Sequence, residues 1–195
     1  MQRHDHREEA LRRFIECLRA ATARVGPDFM QLPVAGFLHP VSIYRERVYC
    51  YELYHQLRIE MGDDFGFSLS GEVDKRNHPL MRGRDLTNTK PDLLVHTPGD
   101  MRGNLVVLEV KPINALRDDI WKDLRTLTAF MQIGGYYQAI YLIYGWNEAR
   151  FNRIKRAAIN LQREDKEDRI RLDSIILFWH RQPGEAAEYV SWELR

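Results

Sequence analysis

The sequence predicts an α/β fold: a central mixed β-sheet flanked by helices, with an N-terminal helical extension. Three observations predict it. Segments with apolar residues at helical spacing alternate with short runs rich in Val, Ile, Leu, Tyr and Phe. One run, Ala139 to Tyr144, is continuously apolar, as strands in the middle of a sheet are. The segments come in the order helix, helix, three strands, helix, strand, helix, two strands, an order that mixes hairpins with helical crossovers.

Residues 5 to about 24 carry Ala10, Phe14, Ile15, Leu18 and Ala21 at helical spacing, and Gly26-Pro27 ends the pattern. Residues 31–40, with two prolines and a glycine, read as a loop. Ser42 is placed to cap a second helix that runs to about Met61, where Gly62-Asp63-Asp64 stops it. Tyr44, Val48, Tyr49, Tyr51, Leu53, Tyr54, Leu57 and Ile59 surround most of that helix, which predicts extensive burial. Glu52 sits in its middle, where a carboxylate needs a metal, a proton or a basic partner such as Arg45, Arg47 or Arg58.

Phe65 to Val73 alternates as a strand does. Lys90 to His96 and Asn104 to Pro112 then read as the two strands of a hairpin, joined by the turn-rich stretch Thr97 to Gly103. Leu116 to about Met131 places Ile120, Leu124, Leu127 and Met131 on one helical face, and Gly134-Gly135 closes it. After the strand Ala139 to Tyr144, residues 147 to about 168 form a charged helix with Phe151, Ile154, Ala158 and Leu161 inward. Ser174 to Trp179 and Ala187 to Trp192 are strands around the turn Gln182-Pro183-Gly184-Glu185. The expected organisation is one domain, with residues 1–40 as helix and loop, 41–145 as the core and 146–195 completing the sheet.

Composition narrows the function classes. With 195 residues, 44% hydrophobic and 29% charged, the chain suits one soluble globular domain. No apolar run approaches the roughly 20 residues of a membrane span. The first residues lead into an amphipathic helix without the pattern of a secretory signal, so a cytoplasmic location and no membrane partner are expected. Two cysteines, Cys17 and Cys50, exclude a four-cysteine iron–sulfur or zinc site and read as reduced, buried thiols. The seven histidines show no zinc spacing, and no glycine-rich phosphate loop with its lysine is present. A net charge of +1 leaves nucleic-acid binding to a local patch. One patch qualifies: Lys75, Arg76, His78, Arg82, Arg84 and Lys90 stand against the single acid Asp85.

The hairpin carries the chemistry. Glu109 and Lys111 are two residues apart, so a strand turns both to one face and Val110 to the other. In an antiparallel pair, Asp92 on the first strand comes level with the end of the second. Hard divalent cations such as magnesium are held by one or two carboxylates with water and phosphate oxygens, and Asp92 and Glu109 supply such a pair. The Val110 carbonyl could add a ligand. Lys111 supplies the compact cation that holds an attacking water or stabilises a pentavalent phosphorus.

Pro91-Asp92, sixteen intervening residues, then Glu109-Val110-Lys111 resembles the motif of the PD-(D/E)xK nuclease superfamily, which includes many restriction and DNA-repair endonucleases. The resemblance runs from about Ser42 to Tyr144 and implies a restriction-endonuclease-like core. It implies a magnesium-dependent deoxyribonuclease, manganese substituting, with DNA as the partner and Asp92, Glu109 and Lys111 as its centre. Glu52 would be the helical glutamate that often joins the metal site, and Lys75, Arg76, Arg82, Arg84 and Lys90 would hold phosphates. Gln132 with Tyr136, and Gly71 to Asp74, also resemble motifs of the RecB-like exonuclease branch, although paired glycines would break the helix that should carry the first. Double-strand cutting in this superfamily often uses two sites, so a homodimer or a larger defence or repair complex is an expected assembly. The alternative is an inactive nuclease-like fold that binds nucleic acid or assembles with proteins, its carboxylates and lysine forming a structural ion-pair cluster.

Overall fold

The computed structural model describes residues 2–34, 41–71 and 90–194. Its elements are α1 (Gln2–Arg24), α2 (Pro27–Met30), β1 (Leu32–Val34), β2 (Val41–Ile43), α3 (Glu46–Met61), β3 (Ser68–Gly71), β4 (Leu93–Thr97) and β5 (Asp100–Pro112), then α4 (Arg117–Gln132), β6 (Gln138–Tyr144), α5 (Glu148–Glu164), β7 (Ile175–His180) and β8 (Glu188–Val190). No helix among the described residues is long and apolar enough to cross a membrane.

Six strands form one open sheet in the order β3-β4-β5-β6-β7-β8. β3, β4 and β5 pair antiparallel, β5, β6 and β7 pair parallel, and β8 returns antiparallel on β7. The fold is therefore α/β with a mixed sheet. β6 pairs with parallel strands on both sides and is buried from Ala139 to Tyr144, which explains its uninterrupted apolar sequence. The crossovers through α4 and α5 pack on one face of the sheet, as successive right-handed units advancing in one direction must. Period two along β5 divides its side chains: Val106, Leu108 and Val110 join the core beneath α1 and α3, and Val107 joins the core beneath α4 and α5.

Several boundaries differ from those the sequence predicts. Ser42 lies inside β2, opposite Pro33, so the helix begins at Glu46 with Arg45 in the capping position. The loop expected over residues 31–40 opens with β1, which pairs with β2. The hairpin turn is tighter than its turn-rich composition suggests. Thr97 pairs with Asp100 around Pro98-Gly99, with Gly99 at φ 81° supplying the left-handed residue, and a register shift absorbs the extra length of β5. α3 is less buried than its aromatic content predicts, since Tyr51 and Ile59 face solvent. α1 is part of the helical layer rather than an appendage: Phe14, Leu18 and Ala21 are fully buried, and Thr22 Oγ1 accepts the Ala187 N–H at 2.9 Å.

One buried base stands out in this core. His180, at the end of β7, has no exposed surface, and its Nδ1 bonds the Tyr49 hydroxyl at 2.7 Å. Burial lowers its pKa to about 4, against weaker opposing pulls from the backbones of Gln182 and Glu185 and the Glu185 charge. The unfolded chain takes up this proton near pH 6.5 and the folded chain only near pH 4, so acid favours unfolding. Its contribution is complete above about pH 6.5 and falls by about 3 kcal/mol as the pH drops to 4. Thermal unfolding followed by circular dichroism should show His180→Gln losing less stability than the wild type across that interval. Equal losses would mean that His180 is not the sensitive group.

Candidate active site

The ladder between β4 and β5 pairs Leu93 with Leu108, which brings Asp92, one residue earlier, level with Glu109. β4 stops there while β5 runs on to Pro112. Asp92 Oδ2 closes the open edge by accepting the Val110 N–H at 2.8 Å. A residue's N–H and C=O point to the same side of a strand, so the Val110 carbonyl also faces the Asp92 side while its side chain lies in the core. Glu109 is buried and its carboxyl hydrogen-bonds that of Asp92. Burial first, then the charges of Asp92 and Asp123, hold the Glu109 carboxyl well above the usual carboxylate range, with Lys111 pulling the other way. Crowding of this kind favours a proton on Glu109 over a second buried negative charge.

Lys111 stands two residues on, on the same face. Its ammonium donates to Glu46 Oε1 at 2.9 Å and lies 3.5 Å from Asp123 Oδ2. Burial disfavours its charge, but Asp123 and Glu46 outweigh that effect and raise its pKa, so the ammonium is firmly protonated. Asp123 is 4% exposed and accepts the Tyr141 hydroxyl at 3.2 Å; burial, together with Asp92 and Glu46, pushes it up to about 7 against Lys111. Glu46 is also raised by burial, with Lys111 opposing.

These groups line a cavity of about 610 Å³ that also takes in Cys50, Tyr54, Gly71, Thr126 and the basic residues Arg47, Lys90 and Lys122. Asp92, Glu109 and Lys111 therefore meet where the sequence places them. Glu52 does not join them. Six residues past Glu46, it is rotated about 120° around the helix, is absent from the cavity wall, and accepts Gln56 Nε2 at 2.7 Å. Lys90 lines the cavity, whereas Lys75, Arg76, His78, Arg82 and Arg84 lie outside the described residues. Gln132 ends α4 exposed and Tyr136 packs against Phe130, so the glutamine–tyrosine pair is not assembled at the cavity. His96 bonds Ser70 Oγ at 3.1 Å.

Sequence reasoning missed Glu46 and Asp123, although both left a trace. Glu46 opens the stripe Glu46, Cys50, Leu53 and Leu57, whose last three members are buried. Asp123 falls within the apolar stripe of α4, three residues after Ile120 and four before Leu127. An acid on a buried stripe carries more information than an acid in a helix that is apolar all round.

The donor set consists of carboxylate oxygens, and a pair of them suits a hard divalent cation that keeps water and phosphate as its other ligands. Among the described residues, no three His, Cys, Asp or Glu groups stand together as a ready cation site. The chain matches no family model, no curated protein and no solved structure.

Packing Glu109 among like charges opposes folding. Glu109→Gln keeps the shape and is neutral in the folded and unfolded chain alike, which removes the cost of neutralising the carboxylate on folding, so in EDTA near neutral pH it should raise stability by about 1–2 kcal/mol, roughly 3–6 °C in Tm at this length. A lowered Tm, measured by calorimetry, would mean that the carboxyl is a net structural asset.

Proposed function

We propose that the chain is a metal-dependent nuclease that hydrolyses phosphodiester bonds in DNA, using magnesium with manganese as a substitute. The observation that carries this reading is the convergence of Asp92, Glu109 and Lys111 at one cavity whose wall also bears Arg47, Lys90 and Lys122. Asp92 and Glu109 would hold the ion, with the Val110 carbonyl facing the same side, and the bound ion would supply an acidified water and charge neutralisation on the phosphate.

The remaining roles follow from the chain's own contacts. Lys111 is bonded inside the carboxylate cluster, to Glu46 and Asp123. Its ammonium can orient the attacking water or meet the charge that develops on phosphorus. Glu46 and Asp123 keep it charged and hold it in place, and Tyr141 holds Asp123 through its hydroxyl. Arg47 and Lys90 are exposed where they line the cavity and suit phosphates flanking the scissile one.

The ion pairs from Lys111 to both Glu46 and Asp123 favour a second reading, in which the cluster is structural and the fold binds nucleic acid or assembles with proteins.

Incubation of the purified chain with plasmid and single-stranded DNA, with magnesium, manganese or EDTA, separates the two. Cleavage that needs the metal is expected. Lys111→Ala should lower the rate by about 10²–10³-fold, with circular dichroism confirming that the variant folds. Glu52→Ala should leave the rate within about twofold, because its carboxylate is turned from the cavity. Undiminished cleavage by Lys111→Ala would sink the nuclease assignment. Calorimetry that finds no metal binding dependent on Asp92 and Glu109 at millimolar concentration would favour the second reading.

A further inference from the structure

At the end of the sheet that holds the cavity, the loop after β6 presents a tryptophan to water. Trp146 is 73% exposed, the most exposed large apolar side chain among the described residues. Such a ring gains nothing for folding where it stands. Its mounting is nonetheless rigid. Gly145 donates its N–H to the His180 carbonyl at 2.9 Å, and its own carbonyl accepts Trp179 Nε1 at 2.8 Å. Its φ of 107° and the Tyr44 ring, 2.8 Å from where a Cβ would stand, leave room for glycine only. On the other side, Asn147 caps α5 by accepting the Arg150 N–H at 3.0 Å.

This corner lies at the same end of the sheet as the candidate active site, since Tyr144 pairs with Pro112, the residue after Lys111. Tyr44, which Gly145 touches, lies two residues before Glu46, and Glu46 bonds Lys111. Arg45, between them, is exposed, and Arg150 is exposed and near Tyr44, whose hydroxyl burial holds above its usual pKa with Gln31 and then Arg150 pulling the other way. Glu148 is the acid of the same corner.

We propose that Trp146 is a stacking platform for an unpaired nucleic-acid base, with Arg45 and Arg150 holding the phosphates between that base and the cavity. The inference rests on the nuclease reading and adds to it a preference for single-stranded or frayed DNA. An aromatic face flanked by arginines is the combination that binds single strands without reading sequence. A base paired within a duplex has no free face to offer the ring.

Fluorescence anisotropy in EDTA, with a labelled single-stranded oligonucleotide and its duplex, tests the proposal without cleavage. Trp146→Ala should weaken single-strand binding about 5- to 100-fold, Trp146→Phe should restore most of it, and duplex binding should change less than about twofold. Because the side chain is exposed, Tm should not move. Wild-type affinity in Trp146→Ala overturns the inference, and if the wild type still cuts DNA, the nuclease reading survives. A wild type that neither binds nor cuts DNA overturns both. Self-association that Trp146→Ala abolishes, with oligonucleotide binding intact, assigns the corner to protein contact and also overturns the proposal.

Discussion

Four carboxyl groups, those of Glu46, Asp92, Glu109 and Asp123, share a cavity with the largely buried ammonium of Lys111 at the end of a six-stranded sheet. Carboxylates buried this close together cannot all stay charged out of water. The raised pKa values of Glu109 and Asp123 are one response to that constraint. A bound cation would be another, and it would compete with the proton for the same oxygens. Neither response makes the cluster a strong source of stability, since a buried ion pair seldom outperforms apolar packing.

The fold puts the cluster at this end through a mismatch in strand lengths. β4 ends at Leu93 while its partner β5 continues to Pro112, so the last residues of β5 keep β6 on one side and lose β4 on the other. An unpaired backbone edge inside a protein is costly, and Asp92 meets part of the need with a side-chain acceptor for the Val110 N–H. The acid is thereby held in place by the backbone of the strand that carries Glu109 and Lys111. α3 enters from one helical layer and α4 from the other, and the gap left by β4 becomes a cavity instead of a continuation of the ladder.

Much of this was legible in the sequence because period two is strict. Once the hairpin was identified, Asp92, Glu109 and Lys111 had to share a face and an end, and the register of β4 on β5 agrees. Helical residues were harder to place. A helix with aromatics on every side offers no clear polar face, so Glu52 could not be told from Glu46 until the exposure of Tyr51 and Ile59 revealed which side is wet. Asp123 was hidden for a related reason: its partners, Lys111 and Tyr141, come from two different strands, and nothing local in α4 announces them. β1 and β2, at three residues each, are too short to show alternation.

The placement of Glu46 and Asp123 bears on what Lys111 can do. Both helices reach the ammonium, one from each layer, so its position depends on how the two layers sit on the sheet. With a single partner, a flexible four-carbon stem would swing. Two acids on opposite layers oppose that swing. They also compete for the ammonium: Glu46 is the nearer at 2.9 Å, and Asp123, at 3.5 Å, is the one restrained by Tyr141. Should Glu46 turn toward a cation, Asp123 would still hold Lys111 beside the strand. The lysine could then act on a phosphate while Glu46 is otherwise engaged. Two carboxylates on opposite layers thus leave the ammonium held even when one of them lets go.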